Sequence, residues 1–402
     1  MYRQEQIAEV IGLQTNDFVH KTLGITRSAL QHIPEVDNYA TIITGIRRCG
    51  KSTILLQLLK AKSIEAIYLN WEDIRLAGFE TDDFSRLHKE IVKRGIRYLF
   101  FDEIQLVDNW EMFVNQLLRE GYKVYITGSN ASLLSVELGT HLTGRHLSTE
   151  LFPFSYFEFC NIKNLESNQL SMEQYLQTGG IPDYVKTGED AILQNLINDI
   201  ITRDIAVRYS IRDLESLRKL TAYLLTNIAC PVSASKLTET VSLKSATTVL
   251  EYFSYLKNAY LVDFIPQFSY SAKIQMRNPR KVYAIDMGLV NAVSSSFSQN
   301  AGRKLENLVF LHFRMLRKDV SYFKDKGECD FVVRSNGMVE QLVQVCHVIN
   351  DENFEREYNG LMAAMTFFDL KHGVIVTLNQ TDTFDREGRT IKLIPAHEFL
   401  KA

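Results

Sequence analysis

The sequence predicts an α/β protein whose first half winds helices around a parallel sheet. Three observations carry that expectation. Four short apolar runs, ATIIT at 40–44, EAIYL at 65–69, RYLFFD at 97–102 and KVYIT at 123–127, have the continuous hydrophobicity of strands buried on both faces. Amphipathic stretches such as Ser52–Lys60 and Trp110–Glu120 separate them, giving the alternation of a doubly wound sheet. The strands then stop after LFPFSYFEF at 151–159, so a different architecture must follow.

Taken in order, residues 1–38 read as one or two helices ahead of the first strand, and residues 39–159 as the sheet core. Residues 160–212 read as a mostly helical lid, interrupted by Gly179-Gly180-Ile181-Pro182. Residues 213–290 begin with three helices: Leu214–Ile228, one opening near Ser233, and one opening near Ser245. The third places Val249, Leu250, Phe253 and Leu256 on one face. A β-rich stretch, AYLVDFIPQFSYSAK, and KVYAID follow, so three helices and a ribbon predict a winged helix. Residues 301–402 form a second α/β unit, with helices over 304–317 and 353–368 and five strands.

The chemistry is concentrated in the core. Gly45, Ile46, Arg47, Arg48, Cys49, Gly50, Lys51 and Ser52 match G-x-x-x-x-G-K-[ST], followed by Thr53, between a strand and a helix. Glycines there let backbone N–H groups wrap phosphates at a helix N-terminus. Lys51 would reach the β- and γ-phosphates, and Ser52 would offer its hydroxyl to Mg²⁺. The expected ligands are therefore ATP and Mg²⁺. Asp102 and Glu103 close an apolar strand at its C-terminal end, where open α/β sheets bind ligands. Asp102 would hold Mg²⁺ and Glu103 would polarise the attacking water; the plainer alternative is a solvated acidic strand end. Asn130, after KVYIT-Gly128-Ser129, is either a γ-phosphate sensor or part of a turn. Arg145 is either a surface arginine or a charge-stabilising one, serving its own nucleotide or that of a neighbour in a homo-oligomer.

GIRRCGKST, YLFFDEIQ, YITGSN and LTGRHLSTELFPFSYFEF, with YLQTGGIPDYV and KVYAIDMGL further on, together resemble the prokaryotic AAA+-like P-loop ATPases that carry a C-terminal nuclease-like domain of unknown function. The resemblance implies an α/β P-loop NTPase core with strand order 5-1-4-3-2. It further implies a helical lid, a winged helix and a nuclease-like C-terminal fold.

Net charge is −3 overall, but it is unevenly spread. Arg203–Lys281 holds twelve basic and six acidic residues, against 33 and 42 in the remainder. Phe264–Lys281 carries Lys273, Arg277, Arg280 and Lys281 with no acid, interleaved with Phe268 and Tyr270. With Lys244, Ser245, Thr247 and Thr248 at the third helix's start, this suits contact with duplex or structured DNA. A winged helix used for protein packing is the alternative.

In the C-terminal unit, Glu306 on a helix, Asp330 on a strand and Gln344-Val345-Cys346 on the next follow the order of the PD-(D/E)xK nucleases. Gln344 stands where a second acid belongs and Cys346 where a lysine belongs, so metal-assisted cutting is not expected.

Five scattered cysteines, Cys49, Cys160, Cys230, Cys329 and Cys346, indicate neither a disulfide framework nor a zinc site. With no apolar run of about 18 residues and no signal-peptide pattern, a cytoplasmic protein without membrane contact is expected. The reading is a Mg²⁺-dependent ATPase that couples nucleotide binding or hydrolysis to DNA engagement. The alternatives are a nucleotide-dependent signalling switch with a protein partner and an ATP-gated nuclease.

Overall fold

Five strands line up in the order β5-β1-β4-β3-β2, all parallel, in the computed structural model of the chain. They are β1 Ala40–Thr44, β2 Ala66–Asn70, β3 Tyr98–Asp102, β4 Lys123–Gly128 and β5 His146–Glu150. The structure describes residues 1–131, 144–243, 245–294 and 301–401. Contacts divide these into two compact units, residues 1–153 with 258–260 and residues 154–257 with 261–402.

In the first unit, the sheet buries apolar side chains on both faces, as continuous runs such as Tyr98–Phe101 require. Helices α1 (Gln4–Val19), α3 (Phe84–Arg94) and α4 (Trp110–Arg119) share one core with Ile42, Leu69, Leu99, Phe101 and Ile126. Burying each of those side chains is worth roughly 1.5–3 kcal/mol. Helix α1 also solves an edge problem. Strand β2 ends the sheet, and its free backbone groups are met by side chains. Asn70 N donates to Gln14 Oε1 at 2.6 Å, and Tyr68 N donates to Thr15 Oγ1 at 3.1 Å. An otherwise open strand edge is thereby covered. One α-helix and a 3₁₀ turn at Ser28–His32 make up the expected N-terminal helical segment.

The second unit opens with a helical stretch: α5 (Tyr156–Lys163), α6 (Gln169–Thr178), α7 (Pro182–Thr187) and α8 (Ala191–Asp199). Here the two motifs without assigned chemistry prove to be one contact. Asp286 accepts hydrogen bonds from Gly180 N at 2.5 Å and Leu289 N at 3.3 Å. A Cβ on Gly180 would lie 2.1 Å from the Phe154 carbonyl oxygen, so a side chain there has no room. Burial pushes the Asp286 carboxyl up to about 6, against those backbone donors.

Next come α9 (Leu214–Thr226), β6 (Pro231–Val232), α10 (Ala234–Thr240), α11 (Ala246–Asn258), β7 (Val262–Pro266), α12 (Ala272–Arg277) and β8 (Arg280–Ala284). The strands form an antiparallel sheet in the order β6-β8-β7. The expected β-rich stretch is thus shorter than its sequence suggested. Helix α12 replaces its end, because the chain is tied to a neighbouring strand by Phe268 N donating to Tyr322 O at 2.7 Å.

After α13 (Met287–Val293) the C-terminal portion contains α14 (Ala301–Met315), β9 (Asp319–Lys324), β10 (Glu328–Ser335), β11 (Met338–Val345), α15 (Phe354–Phe367), β12 (His372–Thr377), β13 (Asp382–Arg386) and β14 (Arg389–Pro395). Its mixed sheet runs β13-β14-β12-β11-β10-β9. Strand β13, polar and mostly exposed, lacks the apolar alternation that sequence reading relies on. No helix among the described residues is long and apolar enough to cross a membrane.

Candidate functional site

The loop between β1 and α2 (Lys51–Lys62) is shaped by steric necessity. Gly45 has φ +145°, and a Cβ there would sit 2.1 Å from the Leu151 carbonyl oxygen. Gly50, at φ +100°, precedes the helix without a capping side chain. The first N–H groups of α2 therefore have no partner from a cap, the condition that favours an anion at a helix N-terminus. Lys51 is buried and folds back onto the loop, its Nζ donating to the Gly45 and Ile46 carbonyls at 3.1 Å each.

Ile46 and Cys49 are fully buried, so those two support the loop from behind and offer a ligand only backbone. Arg47 pairs with Glu72 at 3.2 Å. Arg48 takes a left-handed φ of 64°, part of the loop's tight curvature. Thr53 lies in the first turn of α2, half-buried.

Below the loop, Asp102 ends β3 and is buried at 3% exposure. Ser52 Oγ and Tyr68 OH both donate to its Oδ2 at 2.6 Å, and Thr127 Oγ1 donates to Oδ1. Three hydroxyls thus hold one carboxylate, and none of them cancels its charge. The Ser52 and Asp102 oxygens are hard ligand atoms lying side by side, a donor set that fits Mg²⁺. Glu103 follows in a left-handed conformation, φ 56°, a strained geometry typical of functional sites. Burial pushes its carboxyl up to about 7; Lys51 opposes that rise and Asp102 adds to it. A carboxylate poised near neutrality has the basicity a general base needs.

Asn130 is buried two residues beyond Gly128. Strand β4 lies between β1 and β3, so Asn130 stands at the same sheet edge as the loop and Asp102. Arg145 does not. It is exposed, and its carbonyl accepts from Ala40 N at 3.0 Å, beside the opposite end of β1. At about 3.3 Å per residue, that is on the order of 15 Å from the loop. Of the alternatives the sequence left for Arg145, strand direction opposes the in-cis one. Leu142 and Thr143 lie outside the described residues.

Arg27 and Tyr68 were missed in sequence. Arg27, 4% exposed, donates to the carbonyls of Cys49 at 2.7 Å and Phe152 at 2.6 Å. It clamps the loop from a segment that carries no motif. Period-two alternation from Asn70, which pairs with Asp102 in the sheet register, was the available signal for Tyr68.

The second unit holds another carboxylate group. Glu306 (α14), Asp330 (β10) and Gln344 (β11) do come together. Asp330 N donates to Gln344 Oε1 at 3.1 Å, and Gln344 Nε2 donates to Glu357 Oε2 at 2.6 Å. A lysine reaches this group from outside the C-terminal unit's own strands. Lys281, on β8, donates to Asp330 Oδ1 at 2.7 Å and to Glu306 Oε1 at 3.0 Å. Lys281 is 2% exposed, so its expected contact with DNA phosphate is corrected: its charge is consumed internally. Tyr283 OH also donates to Glu306, at 2.7 Å. Two buried carboxylates share one ammonium, leaving one negative charge in excess. Burial works against the Lys281 charge, but Asp330 and Glu306 hold its pKa well above the usual range. Glu306 bears the imbalance: burial and then Asp330 push it up to about 7, against Lys281 and Tyr283. A cavity of ≈ 930 Å³ opens beside Glu306, Asp330 and Gln344. Among the described residues, no group of three or more His, Cys, Asp or Glu side chains is arranged to hold a metal ion.

A nucleotide-shaped loop at a parallel sheet's C-terminal edge, with Ser52 on Asp102, defines a P-loop ATPase fold of the AAA type. The AAA domain family model matches residues 37–160, and one described as Domain of unknown function (DUF8612) matches residues 169–300. An uncharacterized protein of Methanocaldococcus jannaschii is 33% identical over 392 residues, covering 90% of this chain and 88% of that protein. An uncharacterized protein of Haemophilus influenzae is 30% identical over 342 residues, covering 80% and 85%. The chain belongs to the family of AAA-domain P-loop proteins represented by these two. Among solved structures it is similar to the Thermotoga maritima RuvB Holliday junction branch migration motor. That match has 16% identity, covers 66% of this chain and 90% of that one, and has a TM-score of 0.30. Cdc6p from Pyrobaculum aerophilum matches at 14% identity, covering 70% and 91%, with a TM-score of 0.28.

Proposed function

We propose that this protein is a Mg²⁺-dependent ATPase that couples nucleotide binding or hydrolysis to engagement of duplex or structured DNA. The observation that carries the ATPase reading is the Ser52–Asp102 contact of 2.6 Å beneath an uncapped helix N-terminus. Bound Mg²⁺ would supply charge neutralisation for the β- and γ-phosphates. Ser52 and Asp102 would hold that ion, and Lys51 would leave the loop carbonyls for the phosphates. Glu103 would accept a proton from water, and Asn130 would orient that water or the γ-phosphate from the same edge. Arg145, at the opposite edge, would act on a neighbouring copy's nucleotide in a homo-oligomer.

For DNA, the supporting observation is the order helix, strand, helix, helix, strand, helix, strand over 214–284 with its three-stranded sheet, read as a winged helix with the short helix α12 between its last two strands. Lys273, Arg277 and Arg280 are all exposed on it. Ser245 caps α11, accepting from Thr248 N at 3.1 Å, and Thr247 is exposed beside it. Lys244 lies outside the described residues.

Binding of labelled duplex and branched DNA over a salt series tests this, together with the ATPase rate with and without each DNA. Replacing Lys273, Arg277 and Arg280 with Ala should weaken binding across sequences. It should also flatten the log K against log salt slope by roughly 2–3 units. No DNA binding at low salt would instead favour a switch with a protein partner. Mg²⁺- or Mn²⁺-dependent cutting abolished by Asp330→Ala would make the ATPase the regulator of a nuclease.

A further inference from the structure

The chain leaving β7 is pinned along β9. Phe268 N donates to Tyr322 O at 2.7 Å, and Gln267 Nε2 donates to Lys324 O at 2.9 Å. That anchorage drives the Phe268 ring into an aromatic cluster. It meets Phe368 edge-on at 4.7 Å between centroids, and Phe368 meets Phe367 at 4.8 Å. Tyr270 then lies over Phe367, near parallel at 25° and offset, with centroids 6.0 Å apart. Neither outer ring is covered: Tyr270 is 82% exposed and Phe367 45%. Met338 is also exposed. With Phe268, Tyr270 and Phe367, Met338 lines a groove of ≈ 650 Å³. Such a contiguous apolar patch on a soluble surface marks a binding site more often than chance exposure.

Its charge selects the occupant. Lys273, Arg277 and Arg280 follow Tyr270 directly, all exposed, with no acid between Phe264 and Lys281. Arg334 lines the groove with its guanidinium 5.8 Å from the Phe268 ring centre, and it is bonded to Asp319. The carboxylate in the lining, Asp369, has Arg389 3.9 Å away. Ala272 and Gln275 of α12 line the groove, and exposed Lys273 and Arg277 stand on that same short helix; flat exposed rings with such cations at the groove's side suit a polyanion that also presents flat apolar faces, the combination found where proteins bind single strands. We propose that this groove stacks an unpaired base of DNA, while phosphates of the same strand lie against Lys273, Arg277 and Arg280. This rests on the DNA reading above and narrows its substrate to duplex with a single-stranded extension.

The test uses the full chain, a blunt duplex, and the same duplex with a 3′ or 5′ overhang carrying 2-aminopurine. The native protein should bind an overhang roughly tenfold more tightly than the blunt duplex and quench the 2-aminopurine. Tyr270→Ala with Phe367→Ala should lower overhang affinity roughly ten- to a hundredfold, the scale of lost base–aromatic stacking. Blunt-duplex affinity should stay as it was, and Tyr270→Trp should keep the preference. Should Phe367→Ala disturb folding, Tyr270→Ala alone suffices, because that side chain is almost wholly in solvent. Equal native affinity for blunt and overhang DNA overturns the inference. So does a parallel loss on both DNAs in the variant. An overhang preference that survives both substitutions also overturns it, and assigns the groove to another ligand, such as a protein segment. In those three cases the DNA reading stands. Absence of binding to either DNA at low salt overturns both together.

Discussion

Two pairs of carboxylates, built from the same residue types, are met by different partners. At the P-loop, Asp102 is held by three neutral hydroxyls, and Lys51 turns away onto the Gly45 and Ile46 carbonyls. In the second unit, Asp330 and Glu306 share the ammonium of Lys281 at 2.7 and 3.0 Å. The first arrangement keeps a buried negative charge available for an exchangeable cation. The second spends one of its two charges on a cation that is covalently part of the chain, and Glu306 carries the remainder. A carboxylate cluster therefore speaks for metal chemistry only when its neighbours leave the charge unspent.

The largest effect expected from this contrast falls on stability. Lys281→Met leaves Glu306 and Asp330 buried without a counter-charge, which should cost about 3–5 kcal/mol. Denaturant unfolding would measure it, and a loss under about 1 kcal/mol would break the comparison. Asp330→Asn in the same background should recover part of the loss, since it removes one of the stranded charges.

Lys51→Ala should instead leave stability nearly intact and weaken ATP binding on the order of 100-fold. That is the scale of losing two charge-assisted hydrogen bonds to phosphate. Titration with a fluorescent nucleotide reads this directly, and equal affinity would remove the P-loop assignment.

A smaller effect is set by pH. The Glu103 carboxyl is pushed up to about 7, and only its deprotonated form accepts a proton. ATPase rate should therefore rise as pH climbs through about 7 and fall away below it, by about tenfold per unit on the acid side. Glu103→Asp should move the inflection, while a flat profile between pH 6 and 8 would assign the base elsewhere.

The P-loop pair was legible in sequence because its chemistry is local. Six residues from Gly45 to Gly50 dictate the loop, and Asp102 announces itself at the end of an apolar run. The Lys281 pair was only half legible. Glu306, Asp330 and Gln344 could be ordered along the chain, but their ammonium arrives from position 281, ahead of all three. No spacing rule reaches across that distance, and a basic run read as phosphate contact concealed it. For Arg145 the sequence left its own nucleotide, a neighbour's and a surface position as alternatives, and strand direction opposes the first. Its motif places it near the nucleotide in sequence, while parallel strand direction carries it to the sheet's other end.

In the proposed hydrolytic centre Asp102 would hold the metal and Glu103 would activate water. Single-turnover ATP hydrolysis by Glu103→Gln, with nucleotide and Mg²⁺ binding measured in parallel, tests it most directly. ATP and Mg²⁺ should bind as tightly as to the native protein, with hydrolysis slowed about 10²-fold or more. Hydrolysis at the native rate would contradict it.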